Sequence, residues 1–204
     1  MSNAQAQDER PLLTLDFDGV ICGPPLRVNL GVHRRFLDPG AEPPAALVPP
    51  RWLSLLVDRP RFALRRPLPG AREALARLAR ERRLIVLTGR RTSPARWLAR
   101  HGFAGFVEAI RINEGGQASP HFKLAAIEEL GAAEHVDDDP RTAQLLAERD
   151  ACRVFLRDWP RNRDLPYAPG VTRVADLGAL AQLLVPRAAG DGGEESGDAT
   201  VGTP

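Results

Sequence analysis

Lysine is almost missing from this chain: of 28 basic residues only Lys123 is a lysine, and the rest are arginines. Cysteine is nearly as scarce. Cys22 and Cys152 form no CxxC pair and no metal-type spacing, so they read as buried or incidental thiols rather than a disulfide framework. No apolar run approaches the ~20 residues that cross a bilayer. The polar opening MSNAQAQDER has no apolar core of a secretory signal. Both absences point to a soluble, cytoplasmic protein. A formal charge of only +2 argues against a dedicated nucleic-acid coat.

The 204 residues, 43% of them hydrophobic, suffice for one α/β domain with a small insertion. The abundant Arg, Ala and Pro fit a coding bias rather than a function. Against that bias the single lysine gains meaning, because a compact ammonium is not interchangeable with a planar guanidinium.

Apolar patterning alternates along the chain. PLLTLDF, RLIVLTG, GFVEAIRI, AEHVDD and ACRVFLRD read as strands. AREALARLARERR, SPARWLARHG, FKLAAIEELG, DPRTAQLLAERD and VADLGALAQLLV read as helices. Ser93 and Asp139 stand as N-caps, each followed by proline at the first helical position, and Gly102 and Gly131 close their helices. Strands alternating with helices imply an α/β fold with a mainly parallel sheet covered on both faces. Residues 1–10 read as a mobile leader, 11–187 as the domain, and the Gly-rich acidic residues 188–204 as a disordered tail.

Residues 21–67 break the rhythm. They are proline-rich, with a helix expected only around Trp52–Val57. Eight arginines (27, 34, 35, 51, 59, 61, 65 and 66) face Asp38, Glu42 and Asp58, a local balance of +5. A segment this long directly after the first strand reads as a cap or substrate loop.

Ligands of open α/β sheets bind at the carboxyl ends of the strands, and four such ends carry reactive groups. In Asp16-Phe17-Asp18-Gly19-Val20, two carboxylates two residues apart can divide labour. One attacks phosphorus while the other protonates the leaving group and then activates water. The plainer alternative is an Asp-Gly turn. In Thr88-Gly89-Arg90, a hydroxyl and backbone amides can hold phosphate oxygens, or simply turn the chain from strand to helix. Lys123, near a helix start, can neutralise nucleophile and phosphate together, or sit solvated on the surface. In Asp137-Asp138-Asp139, the last acid has a capping task, which leaves Asp137 and Asp138 to face a hard cation such as Mg²⁺. An acidic helix start explains Asp139 well and Asp137 poorly.

Taken in order, DFDGV (16–20), the threonine of LIVLTGR (84–90), Lys123 and VDDD (136–139) make residues 11–185 resemble the haloacid dehalogenase superfamily of phosphohydrolases. The resemblance implies a three-layer, Rossmann-like α/β fold with a mainly parallel sheet and a small cap after strand one. It implies Asp16 as nucleophile, Asp18 as acid/base, and Thr88, Gly89 and Lys123 as phosphate binders. It implies Mg²⁺ held by Asp16, the backbone carbonyl of Asp18, Asp137 and Asp138. The second acid, Asp18, is the mark of the phosphatase members. TGRRTSPARWLARHGF (88–103) looks like a segment of some nucleotide- and polynucleotide-directed phosphatases, and NRDLPYAPGVTRV (162–174) like the tail of 5′(3′)-deoxyribonucleotidase-like members. The expected partner is a small phosphorylated substrate, with a mononucleotide favoured over nucleic acid. Two readings stand beside it. The +5 insertion could track a polynucleotide end, although Phe36, Trp52 and Phe62 give little aromatic interleaving for stacking. A non-catalytic phosphate-binding module is the other.

Overall fold

In the computed structural model of the protein, residues 9–23, 62, 64–160 and 162–185 are described. Most of the 21–67 insertion lies outside them, including the expected helix at Trp52–Val57 and the aromatics Phe36 and Trp52, as do the expected tail and nearly all of the leader.

Six parallel strands form one sheet: β1 (Leu12–Leu15), β4 (Arg83–Thr88), β5 (Ala109–Ile112), β6 (Glu134–Asp137), β7 (Arg153–Arg157) and β8 (Val171–Val174). Their order is β5-β4-β1-β6-β7-β8, so the chain starts in the middle, runs out to β5, and crosses back over β1 to β6. The carboxyl end of β1 is therefore the topological switch point, where open α/β sheets place their ligands. The expected α/β architecture with a parallel sheet and helices on both faces is what the structure has.

The strands' two-residue periodicity fills both faces. Leu13, Leu15, Leu84, Val86 and Phe155 point into one core with α1 (Ala71–Glu81) and α5 (Leu177–Leu184), together with Trp97 and Leu98 of α2 (Ala95–Arg100). Leu12, Ile85, Leu87, Val154 and Leu156 point the other way, into a core shared with α3 (Ser119–Leu130) and α4 (Pro140–Glu148). Each fully buried leucine contributes roughly 1.5–3 kcal/mol of transfer free energy, which pins the register of β1 and thereby the direction of the residues after it.

Local signals set most boundaries. Asp139 caps α4 by accepting the Arg141 N–H, Asp176 caps α5 through Ala179 N–H, and Gly131 ends α3 in the left-handed region. Two boundaries differ from expectation. Helix α2 begins at Ala95 rather than Pro94, with the Ser93 hydroxyl accepting the Ala95 N–H at 3.3 Å. Helix α3 begins three residues earlier than the apolar run suggested, at Ser119. Strand β8 was not expected, because its exposed residues Thr172 and Arg173 dilute the apolar signal. A two-stranded antiparallel ribbon was also missed: β2 (Cys22–Gly23) pairs with β3 (Arg66–Pro67) and closes the neck of the insertion.

Candidate active site

Asp16 is the first residue past β1, and its N–H continues the ladder to Val136 O at 2.9 Å. The chain then turns sharply. Ile21 and Cys22 N–H both return to Phe17 O, and Gly19 N–H reaches Cys22 O at 2.7 Å. Gly19 has φ of 80°, and a Cβ there would lie 2.0 Å from Asp138 Oδ2. Only glycine satisfies both the left-handed backbone and the close approach of that carboxylate.

Lys123 rises from α3 into the gap between β1 and β6 and is buried. Its Nζ lies 2.9 Å from Asp16 Oδ1 and 2.7 Å from Asp137 Oδ2. Asp137 is saturated with donors. Its Oδ1 accepts the N–H groups of Asp138 and Asp139 at 2.8 and 2.9 Å, and its Oδ2 also faces His135 Nε2 at 3.0 Å. The Thr14 hydroxyl lies 2.8 Å from His135 Nδ1. Burial pushes the His135 ring below its ordinary pKa, so it is neutral. The carboxylate can only accept, so the ring proton sits on Nε2 and Nδ1 is left as an acceptor beside the Thr14 hydroxyl, whose single hydrogen also faces Glu134 O at 3.2 Å. The chain Thr14–His135–Asp137–Lys123–Asp16 thus leaves β1, passes through β6 and α3, and returns to the residue that follows β1, two positions on from where it began.

The charges in this network oppose one another. Burial works against the Lys123 ammonium, but Asp137 and Asp16 overcome it and hold the amine protonated. Burial likewise disfavours ionised Asp137, but Lys123 and the His135 hydrogen bond reverse that and hold it well below the usual carboxylate range. Asp16 goes the other way. Burial raises its pKa, Lys123 only partly offsets this, and Asp137, Asp138 and Asp18 add repulsion.

Asp18, two residues on, turns away from that network. Arg90 embraces its carboxylate through Nε to Oδ2 and through Nη2 to Oδ1 at 3.1 Å, and Arg65 Nη1 reaches Oδ1 at 2.7 Å. On the other side of β1, Thr88 ends β4 with its Oγ1 accepting the Arg90 N–H at 3.3 Å, so its own hydrogen remains to be donated. A Cβ on Gly89 would meet Ser119 Oγ at 2.4 Å, which places the Thr88–Gly89 turn against the start of α3. At the end of β7, Arg157 Nη1 donates to Gly19 O at 2.5 Å, and Asn162 Nδ2 donates to Arg157 O at 2.9 Å and Asp138 O at 3.4 Å. Asn162 therefore ties the backbone of Arg157 to that of Asp138 at the site wall.

Asp16, Asp137 and Asp138 each offer a carboxylate oxygen, all within 4.8 Å of one another. Three buried carboxylates face one ammonium, and the nucleophile candidate is driven toward its neutral form. That imbalance, with an all-oxygen donor set, fits a hard divalent cation such as Mg²⁺. Asp137 already accepts donors on both of its oxygens, and Lys123 holds Asp16 Oδ1. The Asp18 side chain faces Arg65 and Arg90 and is not one of these three carboxylates.

Sequence reading placed Asp16, Asp18, Thr88, Gly89, Lys123, Asp137 and Asp138 at strand ends or a helix start. The structure brings Lys123, Asp137 and Asp138 around Asp16, with Thr88 on the neighbouring strand. Sequence reading missed Thr14, His135, Arg90 and Arg157. A signal existed for Arg90 and His135, which stand inside the quoted TGR and EHVDD segments. Arg65 was counted among the eight arginines of a cap or substrate loop, but its contact with Asp18 was not expected.

A sequence model described as haloacid dehalogenase-like hydrolase matches residues 34–148, more than half of the chain. The chain belongs to this family of hydrolases. The matched range begins after Asp16 and Asp18 and contains Thr88, Lys123, Asp137 and Asp138. A comparison with curated proteins returns no match. Solved structures are similar in fold. A HAD phosphatase from Thermococcus onnurineus superposes with a TM-score of 0.58 at 14% identity, over 86% of this chain and 98% of that one. A haloacid dehalogenase-like family hydrolase from Streptococcus pneumoniae gives 0.56 at 15% identity, over 86% and 99%. A 2-haloacid dehalogenase from Pseudomonas syringae pv. Tomato DC3000 gives 0.50 at 19% identity, over 86% and 98%. At such identities the likeness is one of fold, and phosphatases and dehalogenases share it. No helix among the described residues is long and apolar enough to cross a membrane.

Proposed function

We propose that the protein is a Mg²⁺-dependent phosphomonoester hydrolase that works through an aspartyl-phosphate on Asp16, with a nucleotide or another small phosphate ester as substrate. The observation that carries this reading over dehalogenation is Asp18, held beside the mouth of the site with 29% of its side chain exposed. A halide departs without a proton, whereas an alkoxide needs one, and a second carboxyl group two residues from the nucleophile supplies it.

In the first step Asp16 attacks phosphorus. The new O–P bond forms as the ester P–O bond breaks, and the departing oxygen takes its proton from Asp18. In the second step Asp18 accepts a proton from water as the water oxygen bonds to phosphorus, and the Asp16–phosphorus bond opens to release phosphate. Lys123 holds Asp16 in place and supplies fixed positive charge, while the Thr88 hydroxyl and the amides after it donate to phosphoryl oxygens. Bound Mg²⁺, held by Asp16, Asp138 and the Asp18 carbonyl, would neutralise the phosphoryl group and the crowded carboxylates. Asp137 orients Lys123. The arginine excess of 21–67 and the similarities at 88–103 and 162–174 support a nucleotide substrate.

The test is a screen for phosphate release from nucleoside monophosphates, sugar phosphates and 3′-phosphorylated oligonucleotides, with Mg²⁺ and with EDTA, alongside halide release from 2-chloropropionate. Metal-dependent phosphate release with mononucleotides preferred is expected. Halide release without phosphate release would overturn the reading.

A further inference from the structure

Asp18 must present one oxygen to the leaving group and later to water, yet it sits in a partly exposed turn where a free aspartate would sample several rotamers. Two arginines from outside its own strand remove that freedom. Arg90 comes from the turn after β4 and grips both carboxylate oxygens in a two-pronged fork. Arg65 comes from the neck of the insertion, one residue before β3, and adds a third contact to Oδ1 at 2.7 Å.

Both arginines are themselves anchored. The Arg65 carbonyl accepts Trp97 Nε1–H at 3.1 Å, and its N–H is bonded to Phe62 O at 3.1 Å. The Arg90 guanidinium lies over the Phe62 ring, 4.8 Å from its centroid. Phe62 and Trp97 both pack edge-on against Phe17, the residue between the two aspartates. The side chains of Arg65 and Arg90 are each only 13% exposed, so this is a walled clamp rather than a solvated ion pair. Its asymmetry has a use. Oδ1 carries Arg65 and one prong of Arg90, whereas Oδ2 shares only Arg90 among the described residues. Oδ2 is therefore the oxygen with capacity left to exchange a proton.

We propose that Arg65 and Arg90 are positioning residues for proton transfer, a guanidinium clamp that aims Asp18 at the leaving group. The inference rests on the phosphatase reading, and the clamp adapts the enzyme to poor leaving groups, alkyl phosphates such as sugar and nucleotide esters, that cannot depart unprotonated.

The experiment is a leaving-group series: kcat and KM of the full-length protein with Mg²⁺ on 4-nitrophenyl phosphate, phenyl phosphate and an alkyl phosphate, for wild type, Arg65→Ala, Arg65→Lys, Arg90→Ala, Arg90→Lys and Asp18→Asn. General acid catalysis typically contributes about 10²–10⁴-fold. Arg90→Ala is expected to cost on the order of 100-fold in kcat on the alkyl ester, less than about fivefold on the nitrophenyl ester, and little in KM, moving toward the Asp18→Asn profile. Arg65→Lys should restore most of the loss of Arg65→Ala, because one donor suffices there. Arg90→Lys should not, because one ammonium cannot replace a fork. The lysine variants carry the test if an alanine variant fails to fold. Equal losses across the series, or none, would overturn the clamp. Absence of phosphate release by the wild type would instead overturn the phosphatase reading and the acid role of Asp18 with it.

Discussion

Lys123 Nζ and Asp137 Oδ2 meet at 2.7 Å where neither side chain is more than 3% exposed. Breaking such a pair strands an uncompensated charge, at a cost of about 3–5 kcal/mol. Asp137→Asn should therefore lower the thermal midpoint as well as activity. Lys123→Arg keeps the charge, but the larger planar fork must fit between Asp16, Asp137 and α3. We expect a large loss of kcat, measured by phosphate release, with a fold that circular dichroism still recognises. An unchanged rate at saturating substrate would mean that the single lysine is an accident of composition.

Asp16 bears the opposite burden. Its ionised form is disfavoured by burial and by three neighbouring carboxylates. Asp16→Asn removes the proposed nucleophile and should cost several orders of magnitude in turnover. The same change should raise the thermal midpoint of the metal-free protein at neutral pH, since a repelled charge is gone. Added Mg²⁺ should then stabilise the wild type more than the variant. Scanning calorimetry with and without the ion reads both effects.

The three consecutive acids at the end of β6, Asp137, Asp138 and Asp139, separate by task. Asp138→Asn should raise the Mg²⁺ concentration needed for half-maximal activity, because Asp138 lies against Gly19 at the site. Asp139→Ala should leave that requirement unchanged and cost about 1 kcal/mol, the value of the α4 cap. Metal titrations of activity on the two variants decide it. A shifted requirement in Asp139→Ala with none in Asp138→Asn would reverse the assignment.

Both thiols are predicted to be unreactive. Burial, helped by nearby Glu134, pushes Cys152 up to about 12, and burial with Asp18 beside it raises Cys22 as well. At pH 8 the folded chain would then hold Cys152 almost wholly as the thiol, so iodoacetamide should label it far more slowly than a free thiol. The linkage has a definite sign. A pKa raised on folding gives stability that is complete below the unfolded value and is lost as pH rises through about 8.5 toward the folded value. Cys152→Ala should flatten the fall in thermal midpoint between pH 9 and 11.

What the sequence determined by itself was everything carried by short-range periodicity and capping. Strands such as Leu84–Val86, with both faces buried, read as continuous apolar runs, and Asp139 with Pro140 announced a helix start, because caps are decided within four residues. The topological rule that ligands gather at strand ends then singled out Asp16, Asp18, Thr88, Gly89, Lys123, Asp137 and Asp138. Strand β8 escaped because Thr172 and Arg173 face outward on an edge strand, and the β2–β3 ribbon because two residues on each side carry no period. The division of labour among the acids also lay beyond sequence. Which carboxylate Lys123 neutralises, why Asp137 is saturated with donors, and which two of 27 arginines close on Asp18 depend on side chains meeting across 14 to 121 positions of chain. Adjacent residues such as Asp137, Asp138 and Asp139 are chemically identical in sequence. Only the direction each side chain leaves the strand end, fixed by the sheet's register and the packing on its two faces, makes one an anchor, one a site wall and one a cap.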